Sequence, residues 1–374
     1  MALRDLIAAR IEAGGPITAA EFIDLALYHP ERGYYAVTPQ RSGRGGDFYT
    51  SVDVGPLFGE LVAAQLTEMW RLMDRPAAFD LVEAAAGNGR LARDVLDAAL
   101  ADDPDFHAAI RLHLVETSGP ARAAQRDSLG PHAARLASSG PDLPSSIEGV
   151  ILANELLDAL PPHAVVMRPD GVRERRVSIG DGGFAEVEGP PSTPEISAYL
   201  ERVGVTLEPG WRAEINLAAE QWVIDAARRL TRGFLIVIDY GHEAVDLYSA
   251  AHAAGTLTTY RAHTIDPAPD AWLRDPGGRD ITSHVDLTGI RLAAEREGLD
   301  TLAALDQTYF LLGLGAAELI GRSTGDPVAD LRRRLALKTL LLPGGMGSTH
   351  KVLIFGRRVA GARLRVARSG GRLT

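Results

Sequence analysis

"DLVEAAAGNGRLARDVL", residues 80–96, reads as a buried strand, a tight turn and the start of a helix. Such a turn aims backbone N–H groups and the positive end of the helix at one point, where a polar or anionic group can sit. Glycines at 87 and 89 let a ligand approach the backbone closely. A dinucleotide fingerprint, G-x-G-x-x-G, would place glycines at 85, 87 and 90. The chain has Ala85, Gly87 and Arg90 there, so that pattern loses two of its three glycines. The competing reading is a strand-to-helix turn that holds nothing.

The surrounding chain has 374 residues, 46% hydrophobic and 24% charged, which is enough for one large or two modest cores. A net charge of −10 argues against a nucleic-acid partner, because phosphate binding needs a dense lysine and arginine face. Without cysteine, disulfides, thiolate metal sites and cysteine nucleophiles are excluded together. The opening "MALRDLIAARIEAGGPIT" carries acidic residues among periodic leucine and isoleucine, as an amphipathic helix does and a targeting sequence does not. No apolar run reaches the roughly 18 residues of a membrane span. These features predict a cytoplasmic protein with no membrane partner. The oligomeric state is not legible.

Outward from the turn, short apolar runs alternate with helical patterns. The runs are FDLVEAA (79–85), IRLHLVE (110–116), GVILAN (149–154), FLIVIDY (234–240), LAAL (302–305) and KVLIFGR (351–357). Runs without polar alternation are buried on both faces, and stretches such as NGRLARDVLDAAL and EQWVIDAARRL supply the covering helices. The pattern predicts an α/β chain with a doubly wound, Rossmann-like, mostly parallel sheet. Residues 1–76 read as an N-terminal helical region with a glycine-rich lid loop, PQRSGRGGDFYTS, and 77–374 as the sheet domain, with an insertion at about 163–230. Residues 163–189 alternate and turn at PDG and GDGG, which predicts a small antiparallel β meander.

Another spacing, acid-x-G-x-G-x-G, is filled as Glu83, Ala85, Gly87 and Gly89, and resembles the first strand-to-helix turn of S-adenosylmethionine methyltransferases with one glycine replaced. Glu116 ends the next run, 29 positions after Gly87. A carboxylate at the end of a second strand can accept hydrogen bonds from both hydroxyls of a nucleoside ribose. The competing reading is a solvated glutamate at a strand end.

Five stretches carry a wider resemblance: GRGGDFYTSVDVGPLFGELVAAQLTEMW (43–70), LANELLDALPPHAVV (152–166), LIVIDYGH (235–242), GTLTTYRAHTIDPAPDAWLRDPGGRDITSHVDLTGI (255–290) and LLLPGGMGSTHKVLIFGR (340–357). In order and over nearly the whole chain, they resemble the MidA family of class I methyltransferases, related to the mitochondrial complex I assembly factor that dimethylates a protein arginine. The resemblance implies S-adenosyl-L-methionine as cofactor and an arginine side chain of a partner protein, a respiratory complex I-type subunit, as acceptor. Two other readings stay open: a small-molecule O- or N-methyltransferase, and a non-catalytic assembly factor that keeps the fold. Position by position, the resemblance implies that Asp47, Thr50 and Ser51 touch cofactor or substrate, against a turn-capping role. Family members usually carry glycine where Ala85 stands and Ser-Pro-Glu where Ser51-Val52-Asp53 stands, departures that bear on cofactor affinity and substrate choice. If Ala85 keeps a negative φ, its methyl adds only crowding.

Methyl transfer requires a nucleophile in line with the S–CH₃ bond and removal of its proton; it requires no metal. A guanidinium nucleophile further needs carboxylates that grip two nitrogens and aim the third. Asn154, Glu155 and Asp158 directly follow a buried run and are the candidate catalytic residues. Glu155 and Asp158 share a face if a helix begins there; otherwise Asn154 is a cap before two solvated acids. Asp239, Tyr240 and His242 end a further run, while Tyr260, Arg261, His263, His284 and Asp286 read as a substrate-side wall. His284 and Asp286 form a His-x-Asp pair, but no third ligand stands at a recognisable spacing, so no metal is expected.

Overall fold

The computed structural model describes residues 1–37, 50–261, 264–266, 268–320, 325–342, 346–359, 361–368 and 373. The chain forms two compact units. One comprises residues 50–156, 224–240 and 294–374, and the other 1–49, 157–223 and 241–293.

The first, the sheet unit, contains seven strands: β1 Phe79–Ala84, β2 Ile110–Val115, β3 Leu136–Gly140, β4 Ile147–Asn154, β5 Leu230–His242 up to residue 240, β6 Asp300–Asp306 and β7 His350–Arg357. Their spatial order is β3-β2-β1-β4-β5-β7-β6. All neighbours from β3 to β5 pair in parallel, whereas β7 runs antiparallel to both β5 and β6. The doubly wound expectation holds, and the order reverses between β1 and β4, the switch point where such sheets bind ligands. Every residue of β1 is buried, as are 149–153 of β4, because helices cover both faces. Leu81, Val150, Ile236 and Ile354 pack with Phe58 and Leu66 of helix Leu57–Leu72 and with Leu91 and Val95 of helix Arg90–Asp102. Each such side chain contributes about 1.5–3 kcal/mol by leaving water.

Strand β3 matches none of the apolar runs. Its LASSG pairs only with β2, and its residues are half-buried or exposed, so an edge strand left no apolar signature.

The division of the chain also differs from a boundary at 76/77 with an insertion at about 163–230. Residues 50–76 belong to the sheet unit, because helix Leu57–Leu72 inserts Leu57, Phe58 and Leu61 into its core. The second unit gathers 1–49 with both 157–223 and 241–293. It carries the antiparallel strands His163–Arg168, Gly171–Gly180 and Gly183–Gly189, as the alternation over 163–189 predicted. Ile17–Thr18 and Arg212–Ile215 complete that sheet. Helices Leu3–Gly14 and Ala19–Tyr28 bury Ile7, Phe22 and Ile23 against Ala164 and Val177. No described helix is long and apolar enough to cross a membrane.

Candidate functional site

The parallel strands of the sheet unit end along one edge. Antiparallel β7 begins at that edge, with His350 in register with Tyr240 of β5. The sequence-predicted residues Glu83, Ala85, Gly87, Gly89, Glu116, Asn154 and Glu155 all stand at strand ends or in the turns that follow them.

The turn after β1 is left-handed three times: φ is +55° at Ala85, +52° at Gly87 and +80° at Gly89. Glycine adopts that region freely, but an L side chain there costs about 1–2 kcal/mol. The condition that Ala85 keep a negative φ is therefore not met, and its cost lies in the backbone rather than in crowding of a ligand. At Gly87 an added Cβ would meet nothing within 4 Å, so open space faces the turn. At Gly89 it would lie 3.0 Å from Leu114 Cδ1, so this glycine also serves packing.

Glu116 follows β2 and is buried. Its Oε2 accepts from the Gly87 amide at 2.9 Å and its Oε1 from the Ser118 amide at 2.7 Å. A carboxylate offers about four lone-pair positions, so acceptor capacity remains for two hydroxyls. Gln125 supports the turn by donating to the Gly87 carbonyl at 2.9 Å. Glu83 is buried in β1, where burial, reinforced by Asp94 and Glu116 and opposed by a hydrogen bond from the Ala92 amide, pushes its carboxyl up to about 8. Among the described residues its Oε2 has no hydrogen-bond partner. Open space at Gly87, an anchored carboxylate with spare lone pairs and an orphaned buried acceptor fit the nucleoside and the cationic end of S-adenosyl-L-methionine.

Asp47 lies outside the described residues. Thr50 donates from N and Oγ1 to Asp53 Oδ2, both at 2.9 Å, closing a capping box before the 3₁₀ turn Ser51–Val54. Asp53 Oδ1 pairs with Arg90 at the start of the helix after Gly89. Thr50 thus caps a turn, and Asp53 ties that turn to the glycine loop. Ser51, fully buried, donates from its amide to Glu155 Oε1 at 3.2 Å and from Oγ to Gln307 Oε1 at 3.1 Å.

β4 ends at Asn154, and Glu155 then takes φ +52° while its amide donates to the Ile238 carbonyl at 2.8 Å. No α-helix starts here; the next element is a single 3₁₀ turn, Leu157–Ala159. The shared helical face expected for Glu155 and Asp158 is therefore absent, because the chain stays paired to β5 through Glu155. Glu155 belongs to the sheet unit and Asp158 to the second unit. Asn154 Nδ2 donates to Glu155 Oε1 at 3.3 Å, while its own buried Oδ1 has no partner among the described residues. Asp239, fully buried, accepts from the amides of Leu156 at 3.1 Å and Tyr240 at 2.9 Å and so fixes the backbone after Glu155.

Two residues at this edge escaped the sequence reading. His350 is fully buried, its Nε2 3.4 Å from Glu155 Oε1, its Nδ1 3.1 Å from the Met346 carbonyl, and its ring centroid 4.0 Å from that of Tyr240. Gln307, also fully buried, donates to the Met346 carbonyl at 3.3 Å. The apolar run at 351–357 began one residue too late to include His350, but an antiparallel strand must start where its parallel neighbours end, and that signal would have found it.

In the second unit, Asp158 accepts at its backbone carbonyl from the Ser283 amide at 3.0 Å. Burial, with the charges of Asp158 and Asp280, raises the Tyr260 phenol. His263 lies outside the described residues, and Arg261 is placed only as the end of strand Thr258–Arg261. Asp286 faces away from a ligand role: its Oδ2 accepts from the Tyr199 hydroxyl at 2.9 Å and its Oδ1 from the Gly289 amide at 3.0 Å. His242 and His284 come together instead with His252, which spacing did not reveal.

Residues 61–305 match the family described as "Putative S-adenosyl-L-methionine-dependent methyltransferase". A protein from Burkholderia thailandensis, described as a "likely methyl transferase" and solved bound to S-adenosyl-homocysteine, is 32% identical, with a TM-score of 0.88 over 99% of this chain and 95% of that one. Among curated relatives, the "Protein arginine methyltransferase NDUFAF7 homolog, mitochondrial" of Drosophila melanogaster is 29% identical over 95% of this chain and 85% of its own length. The Bos taurus "Protein arginine methyltransferase NDUFAF7, mitochondrial" is 28% identical over 94% and 82%. The chain belongs to this S-adenosyl-L-methionine-dependent methyltransferase family, with S-adenosyl-L-methionine as its cofactor.

Proposed function

We propose that the chain methylates an arginine side chain of a partner protein, with Glu155 as the carboxylate that meets the guanidinium. The observation that carries this reading is the anchoring of Glu155. A left-handed backbone holds it at the ligand-binding edge of the sheet, and Ser51, Asn154 and His350 all approach Oε1. All three of these approaches fall on Oε1, and Oε2 is the oxygen assigned to a further donor. Strained backbone persists where the surroundings over-determine it, and a planar cation is what an anchored carboxylate orients well. The names of the curated relatives support the acceptor class.

When bound, the cofactor would supply an activated methyl, which a guanidinium nitrogen would take as the S–CH₃ bond breaks, leaving S-adenosyl-homocysteine. Glu116 and the Gly87 turn would hold the nucleoside, and the Glu83 carboxyl, on giving up its proton to solvent, would accept from a cationic group. Glu155 orients the guanidinium and, with His350 behind it, takes the proton that the alkylated nitrogen gives up.

Mass spectrometry of candidate partner proteins, incubated with cofactor and either the wild-type chain or Glu155→Gln, tests the reading. Arginine methylation by the wild type alone supports it, whereas methyl transfer only to small acceptors replaces it with the small-molecule reading. No cofactor binding by calorimetry leaves the assembly-factor reading. A catalytic role for Asp158 is supported if Asp158→Asn lowers turnover at unchanged cofactor affinity. Cytoplasmic residence is part of the proposal; it rests on the cysteine-free composition and is tested by cell fractionation.

A further inference from the structure

Three separate pieces of the second unit each deliver one imidazole to the same place. His242 ends strand Leu230–His242, His252 ends the 3₁₀ turn Ala250–His252, and His284 precedes strand Val285–Asp286. One nitrogen from each lies within 4.8 Å of the others. Ring centroids are 4.8 Å apart for His242 and His252, 5.1 Å for His242 and His284, and 5.9 Å for His252 and His284. Parallel pairing of Gly241 with Val285 and of His242 with Asp286 fixes two of the ligands through backbone register.

We propose that His242, His252 and His284 bind a divalent transition cation of the zinc class, with a fourth coordination position for water or another donor. The donor chemistry favours it: imidazole nitrogens suit zinc, copper, nickel and cobalt, whereas magnesium and calcium require oxygen. The orientation of the rings favours it too. His252 Nδ1 lies 2.9 Å from the Asp246 carbonyl, which places the proton on Nδ1 and leaves Nε2 as the ligand, as metal-bound imidazoles are usually held. His284 Nδ1 is buried and, among the described residues, has no hydrogen-bond partner, an arrangement that a metal would satisfy.

Zinc–nitrogen bonds of about 2.0–2.1 Å in a tetrahedral set require nitrogens about 3.4 Å apart, so the cluster closes by up to about 1.4 Å through side-chain torsions. The ion would tie the turn at 250–252 to the strand pair 241–242 and 285–286. This proposal is independent of the methyl acceptor.

The test uses the full, tag-free chain stripped of metal. Co²⁺ titration followed by absorption, competition with Zn²⁺, and elemental analysis after gel filtration measure affinity and stoichiometry, and thermal unfolding with and without Zn²⁺ gives a second readout. One ion per chain is expected, with a Tm that rises on adding Zn²⁺. His252→Gln, on a short surface turn, should keep the metal-free Tm but weaken binding by about 10-fold or more and abolish the Zn²⁺-dependent rise. His29→Gln, outside the cluster, should bind as the wild type does. Absence of stoichiometric binding, equal affinity in His252→Gln, or equal weakening in His29→Gln overturns the site.

Discussion

His350 Nε2 lies 3.4 Å from Glu155 Oε1, with the histidine fully buried and its other nitrogen 3.1 Å from the Met346 carbonyl. A carbonyl only accepts, so Nδ1 carries a proton, and Nε2, buried and without a hydrogen-bond partner among the described residues, is the nitrogen that faces Glu155. The two groups are close enough to form a hydrogen bond if the distance tightens with a substrate bound.

Glu155→Gln should therefore leave cofactor affinity nearly intact and lower turnover by about 100-fold, equivalent to about 2.7 kcal/mol at the transition state. Single-turnover kinetics beside calorimetry of cofactor binding checks this. Parallel losses in both would make Glu155 a structural anchor of Ser51 instead.

Glu116→Ala should raise the cofactor Kd by about 10-fold or more, since hydrogen bonds to a charged acceptor are worth about 1.5–3 kcal/mol. The amides of Gly87 and Ser118 lose their acceptor as well, so Glu116→Gln, which keeps one carbonyl oxygen, should fall between. An unchanged Kd in the alanine variant would remove Glu116 from the cofactor site.

Ala85→Gly relieves a left-handed alanine worth about 1–2 kcal/mol, offset by about 0.4–1 kcal/mol of extra unfolded-chain entropy. Folding stability should rise by at most about 1.6 kcal/mol in urea unfolding. Cofactor affinity should be equal or higher. A clear loss of either would show that the methyl of Ala85 makes a contact that matters.

The Glu83 carboxyl, pushed up to about 8 from an ordinary 4.5, holds a proton in the folded chain that the unfolded chain has released. Its contribution to stability is therefore full below about 4.5 and is lost as pH rises toward 8, with a slope of at most about 1.4 kcal/mol per pH unit. Urea unfolding across that window should show the decline, and Glu83→Gln, neutral at every pH, should flatten it. An equal slope in both proteins would assign the effect to other groups.

The sequence by itself determined the sheet, because strands covered by helices read as short apolar runs, and six of the seven left one. Only β3, polar and paired on one side, did not. It also located the turn proposed for the cofactor, since the placing of Glu83, Gly87, Gly89 and Glu116 at the ends of β1 and β2 follows from local geometry that spacing encodes. Tertiary structure alone decided what depends on long-range register. It placed His350 behind Glu155 because β7 runs against β5, and it held Glu155 left-handed through the Ile238 carbonyl, cancelling the helix that would have paired it with Asp158. It brought His252 to His242 and His284 across gaps that follow no motif. Side chains that meet through strand pairing and chain reversal carry no fixed spacing, so their encounter is written in the packing of the whole chain.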